Sequence, residues 1–231
     1  MTFLQLVQKL RQKVGGAGTG PTTVVAQSGE LLDYVNWVQE AWLLIQALEE
    51  DWMWMRKDVS FQTAANKIAY LPSATAGETG VTDLAKWCDD DSWRCYKTAT
   101  GRSDEAWLVS WPYQVFRDTY DFGTQSTIVG KPSVFASRDR DLALLLGQTP
   151  DSIYTVTGQY QATPTDMLVD ADVPGMPARF HMLIVYRAMM LYGRYEAAPE
   201  VTADGEREFS NMLTALRGDQ LEHIHLGPPL A

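Results

Sequence analysis

One stretch, RFHMLIVYRAMMLYGRYEAAPE at 179–200, limits what this chain can fold into more than any other. Apolar residues run through it with hardly a polar face, interrupted by His181, Arg187 and Arg194. A membrane span needs about 20 predominantly apolar residues, and the two arginines break the run first. Arg187 and Arg194 are seven apart and share one helical face. The rest of the perimeter carries Phe180, Leu183, Ile184, Val185, Met189, Met190, Leu191 and Tyr192. A helix that is apolar nearly all round belongs inside a protein. The stretch therefore predicts a central helix, covered on most of its surface, with one face wet or paired.

The remaining sequence supplies what covers it. A chain of 231 residues can bury a full core as one large domain or two small ones. Thr2 to Val14 places Phe3, Val7, Leu10 and Val14 at helical spacing. GGAGTGPTT (15–23) then breaks the helix, with Pro21 stiffening its end. A second helix is expected after Ser28 as N-cap, with Glu30 in its first turn. Its stripe runs through Leu31, Tyr34, Val35, Val38, Trp42, Ile45 and Leu48 and ends near Glu49, Glu50 and Asp51. From Trp52 the pattern turns to short strands: MWMRKDVSFQT, KIAYLP, SWRCYKT (92–98), PSVFASR (132–138), LALLLG (142–147) and SIYTVTGQYQ (152–161). YQVFRDTYDFG (113–123) reads as a short helix among them. Helical signals return after Pro174 and Pro177, and Pro199 sits where a last helix would start. That helix carries Val201, Phe209, Met212, Leu213 and Leu216, with Gly218 as its expected stop. The order predicts one α+β domain over 1–231. It has a four-helix bundle-like core (1–52 and 174–221), a β-rich insert (53–173) and an extended C-terminal tail (222–231).

Chemistry is hard to find in this sequence. GGAGTGPT matches the spacing of a phosphate loop, but Pro21 stands where its lysine should be and a helix precedes it instead of a strand. His223 and His225 with His181 are too few and too scattered for zinc, which takes three or four ligands. Cys88 and Cys95 lack a CxxC spacing and read as buried small hydrophobes. The acidic runs at 49–51 and 88–91 read as solvated ends of elements. No serine has a G-x-S-x-G frame. No catalytic residue, metal site or cofactor is expected. The formal net charge of −10 argues against general nucleic-acid binding and against anionic membranes. MTFLQLVQKLRQKV has no signal-peptide h-region, so synthesis in the cytoplasm is expected. Eight tryptophans and ten tyrosines point to large packed or interfacial surfaces.

EDWMWMRKDVSFQT (50–63), at the junction of helix and strand, and MPARFHMLIVYRAMMLYGRYEAAPE (176–200) together resemble the head-to-tail adaptor (connector) proteins of tailed bacteriophages. The resemblance spans most of the chain in its order of helical pair, β-rich middle and helical return. It implies a structural virion protein of the neck, between capsid and tail. It further implies a homo-oligomeric ring, commonly of twelve subunits, that meets the portal protein and a tail or nozzle protein. DNA would pass through its channel without sequence-specific binding, and no catalytic residues carry over. The family's C-terminal portion often reaches the portal, which makes His225, Leu226, Pro228, Pro229 and Leu230 the candidate portal contacts. Gly18, Thr19 and Pro21 of the glycine-rich loop, with Trp52 and Trp54, are the candidate subunit contacts. Two alternatives stay open: a tail-completion or other neck protein, and an aromatic-rich module acting on cell-wall glycan.

Overall fold

A computed structural model describes residues 1–18, 20–122 and 124–221 of the chain. They fall into two units, one formed by the N-terminal part to Met55 with the return from Pro164, the other by Arg56–Thr163.

Four long helices build the first unit: α1 (Phe3–Lys13), α2 (Glu30–Gln46), α4 (Met182–Tyr195) and α5 (Pro199–Gln220). Each starts and ends for local reasons. Thr2 and Gln5 form a reciprocal capping box on α1. Gly29, not Ser28, caps α2, because the cap residue takes φ 58°, a conformation glycine adopts without strain. Pro199 opens α5 at its first turn. Gly218 does not stop that helix, which runs on to Gln220; Arg217 pairs with Glu49 at 2.7 Å and Arg179 pairs with Asp219, holding the last turn.

The four-helix bundle expected from the sequence is not what forms, although the α+β class agrees with the structure. The helices pack around α4 as a hub, on which α1, α2 and α5 each lie. The cause is the breadth of the apolar surface on α4, which buries Leu183, Ile184, Val185, Ala188, Met189 and Met190. By contrast α5 buries only Gly205, Leu213 and Leu216. Val24, Trp52, Met167 and Met176, all outside the helices, fill positions a bundle would give to facing helical side chains. The wet face expected of the central helix holds Arg187 and Arg194: Arg194 is exposed, and Arg187 lies over the Phe209 ring of α5.

The second unit holds strands β1 (Arg56–Gln62), β2 (Ala69–Tyr70), β3 (Leu84–Trp87), β4 (Arg94–Lys97), β5 (Ala106–Trp107), β6 (Val109–Ser110), β7 (Val129–Gly130), β8 (Val134–Arg138), β9 (Ala143–Gly147), β10 (Thr149–Pro150) and β11 (Tyr154–Ala162). The single-turn helix α3 (Tyr113–Phe116) interrupts them. They form three sheets: five strands around β11, four in the order β2-β9-β8-β6, and the parallel pair β10-β7. The continuous apolar run LALLLG has a simple cause, since β9 is covered on both faces. Leu144 and Leu146 join the core shared with the five-stranded sheet, while Ala143 and Leu145 pack with Phe116 of α3. Gly158 of β11 is required by Trp93, whose ring would lie 2.3 Å from any Cβ there.

Candidate interaction surfaces

The side chains that the fold leaves exposed, and the surroundings of the titratable groups it buries, set what the chain can present to other molecules. Among the described residues, no group of three or more His, Cys, Asp and Glu is arranged to hold a metal ion. His181 is 2% exposed and packs inside the helical unit, its Nε2 3.1 Å from the Met176 carbonyl. Burial pushes its pKa below the ordinary imidazole value, against the opposing pull of the Met176 carbonyl. Cys88 and Cys95 are free and buried, and burial pushes the Cys95 thiol up to about 12, which removes it from thiolate chemistry. The acidic runs serve structure: Asp90 lies 3.5 Å from Arg56 and accepts the Ser92 amide, and Glu49 pairs with Arg217. No described helix is long and apolar enough to cross a membrane.

The residues singled out from the sequence fall in different environments. Gly18 takes φ 85° and, with Gln5, Gln8, Lys9 and Gln12 of α1, lines a polar cleft. Pro21 is buried, and its carbonyl accepts from the Gln8 amide at 2.9 Å. Trp52 is fully buried, donating its indole N–H to the Ile45 carbonyl, so its ring belongs to the core of the helical unit. Trp54 stacks on it at 4.3 Å and is half-buried. Thr19 and the tail residues His225, Leu226, Pro228, Pro229 and Leu230 lie outside the described residues.

Three exposed features lie outside the candidate contact residues named from the sequence. The first is an aromatic ladder on α2 and α4, running from buried Tyr34 through Trp37 and Tyr192 to Tyr195, which is 69% exposed. The second is the loop at 166–173. Its backbone is pinned at both ends: Met167 is buried in the core and donates its amide to Gln39, whose own amide returns to Asp166 at 2.6 Å. The Asp172 carboxylate accepts the amides of Val169 and Leu168, which hold its pKa below the usual carboxylate range. Asp170 accepts from Thr23 and from the Val24 amide. This framework holds Leu168 73%, Val169 50% and Val173 59% exposed. The sequence signal was present in MLVDAD, an apolar pair followed by aspartates able to bond back to its amides. The third lies on β4–β6 of the other unit. Arg94 pairs with Trp107 across β4 and β5, its guanidinium 3.1 Å from the ring centroid. Trp107 and Val109 nevertheless remain mostly exposed.

Both units thus present apolar side chains on firmly bonded backbone, which is what a subunit of a larger assembly does. A family model described as SU10 adaptor protein matches residues 1–227. The chain belongs to the SU10 adaptor protein family. SU10 adaptors are bacteriophage structural proteins of the virion neck, in agreement with the adaptor resemblance read from the two sequence segments. The family is a structural one. No curated protein matches the chain.

Proposed function

We propose that this SU10 adaptor is the subunit of a head-to-tail connector: a ring, of twelve copies, seated beneath the portal and joining it to a tail or nozzle protein. The observation that carries the reading is the family match along almost the whole chain, 1–227. The exposed apolar surfaces on both units supply what a ring subunit needs, since head-to-tail contacts around a ring use two different patches. DNA crosses the channel without sequence-specific contacts. The charge distribution supports this: residues 56–163 hold 11 basic and 13 acidic side chains, net −2, which leaves −8 of the −10 on the helical parts and tail. An acidic or neutral lumen lets DNA slide, where a basic one would hold its phosphates.

The portal contact is assigned to the C-terminal segment, with Leu226 and Leu230 entering shallow pockets, His225 at their rim, and Pro228 and Pro229 reducing the entropy lost on docking. The free chain is monomeric and forms its ring on the portal. Co-sedimentation with purified portal tests both points: the full chain is expected to travel with the portal, and a chain lacking 223–231 to lose at least tenfold in apparent affinity. Undiminished co-migration of the shortened chain removes the tail from the contact.

A further inference from the structure

The five-stranded sheet carries a cleft on its outer face. Its lining follows from the alternation of side chains along a strand, which sends successive residues to opposite faces. Val59 and Phe61 of β1, Val156 and Tyr160 of β11 and Cys95 of β4 face inward and share one core. The residues between them face outward. Register sets Asp58 beside Gln159 and Ser60 beside Thr157, and across β11 it brings in Tyr96 of β4. These five, with Arg102 just beyond β4, line a cleft of about 400 Å3. Sites for small molecules span about 300–1,000 Å3.

The lining excludes several classes of ligand. Val59 and Gly158 offer only backbone, because the Val59 side chain is in the core and a Cβ on Gly158 would meet the Trp93 ring. An apolar ligand therefore finds little beyond the Tyr96 ring. A phosphate group would meet the exposed Asp58 carboxylate. An extended peptide adds to the edge of a sheet, whereas this cleft crosses a face. What the cleft does offer is unspent hydrogen bonding. Among the described residues, the hydroxyls of Ser60, Tyr96 and Thr157 and the guanidinium of Arg102 have no hydrogen-bond or ion-pair partner. Asp58 accepts from the Gln159 amide at 3.0 Å, which leaves the Gln159 side-chain carbonyl open. Hydroxyls both donate and accept, so three of them together match a ligand that does the same. The banks of the cleft, β1 and β4, are two strand spacings apart, about 10 Å, which admits one sugar ring.

We infer that this cleft binds one hexose unit of a polysaccharide. Asp58 accepts from two neighbouring sugar hydroxyls, Ser60 and Thr157 bond along the floor, and the C–H face of the sugar lies on Tyr96. Arg102 donates to the ring oxygen, or to the carboxylate where the unit is a uronic acid. All of these residues lie within 56–163, so the site stands independently of the ring reading.

Titration of the isotope-labelled full chain, followed by amide chemical shifts, tests this. The probes are the methyl β-glycosides of glucose, galactose, N-acetylglucosamine and glucuronic acid, each added alone, and inorganic phosphate. Saturable shifts confined to the amides around 58–60, 96, 102 and 157–159 are expected with at least one glycoside, at a Kd of about 0.1–10 mM. Phosphate is expected to leave those amides unmoved. Tyr96→Ala and Asp58→Asn, both on the open face, are expected to keep the native melting temperature and to weaken binding at least tenfold. No saturable shift with any glycoside, shifts confined to other residues, the same shifts with phosphate, or variants that bind as the native chain does would each overturn the site.

Discussion

Leu183 and Ile184 have no exposed surface, and Leu168 has almost three-quarters of its own. Truncation to alanine should separate them sharply. Leu183→Ala or Ile184→Ala should cost about 2–5 kcal/mol in denaturant unfolding, from lost burial plus the cavity left behind. Leu168→Ala should stay within about 0.5 kcal/mol of the native chain. His181 gives the second residue-level expectation. Its folded pKa lies below the ordinary value of 6.5, so between the two the unfolded chain binds more protons. Its contribution is therefore complete above about pH 6.5 and is lost as pH falls from there toward the folded pKa. Unfolding followed from pH 7.5 to 5 should show this slope, and His181→Gln should flatten it; an unchanged slope would assign it to other groups. What the sequence showed at this scale was burial by pattern, as in the stripe through Val38, Trp42 and Ile45. What it hid was burial by long-range packing. Trp52 looks like a surface anchor in EDWMWM, yet the core of the helical unit closes over it.

Helices and strands were largely legible because each repeats a simple period. The predicted runs at 132–138 and 142–147 contain β8 and β9, and the central helix expected in 179–200 contains α4. Glycines were the least legible residues, since the same residue marks an end in one place and a close contact in another. Gly218 looked like a stop but lies within α5, with nothing within 4 Å of where a Cβ would stand. Gly205 lets α5 approach α4 so closely that a Cβ would meet the Tyr186 carbonyl at 3.0 Å, and Gly193 of α4 faces Thr202 in the same way. Substituting alanine should therefore have opposite effects. Gly218→Ala should stabilise by up to about 1 kcal/mol through helix propensity. Gly205→Ala should destabilise by about 1–3 kcal/mol through overpacking against backbone that cannot yield locally. Thermal melts of the two variants decide this, and equal shifts would mean that the α4–α5 contact is looser than described.

At the scale of the whole molecule, the α+β class and the order of helical and β-rich parts followed from the sequence, and the bundle did not. Four amphipathic segments suggest four equal partners. Only the distribution of apolar surface decides otherwise, with α4 apolar nearly all round and α5 apolar along a narrow strip. The exposed loop at 166–173 was half legible: MLV by itself reads as buried, the aspartates that bond back to its amides follow it in sequence, and only the ties of Asp170 to Thr23 and Val24 and of Met167 to Gln39 are tertiary. Membership of the SU10 adaptor family gives these surfaces a setting in which assembly is the property to measure. The most direct measurement is electron microscopy of the purified chain mixed with purified portal. Closed rings capping one end of the portal are expected, with an open central channel and the chain otherwise monomeric. Chains that remain dispersed beside bare portals would contradict this.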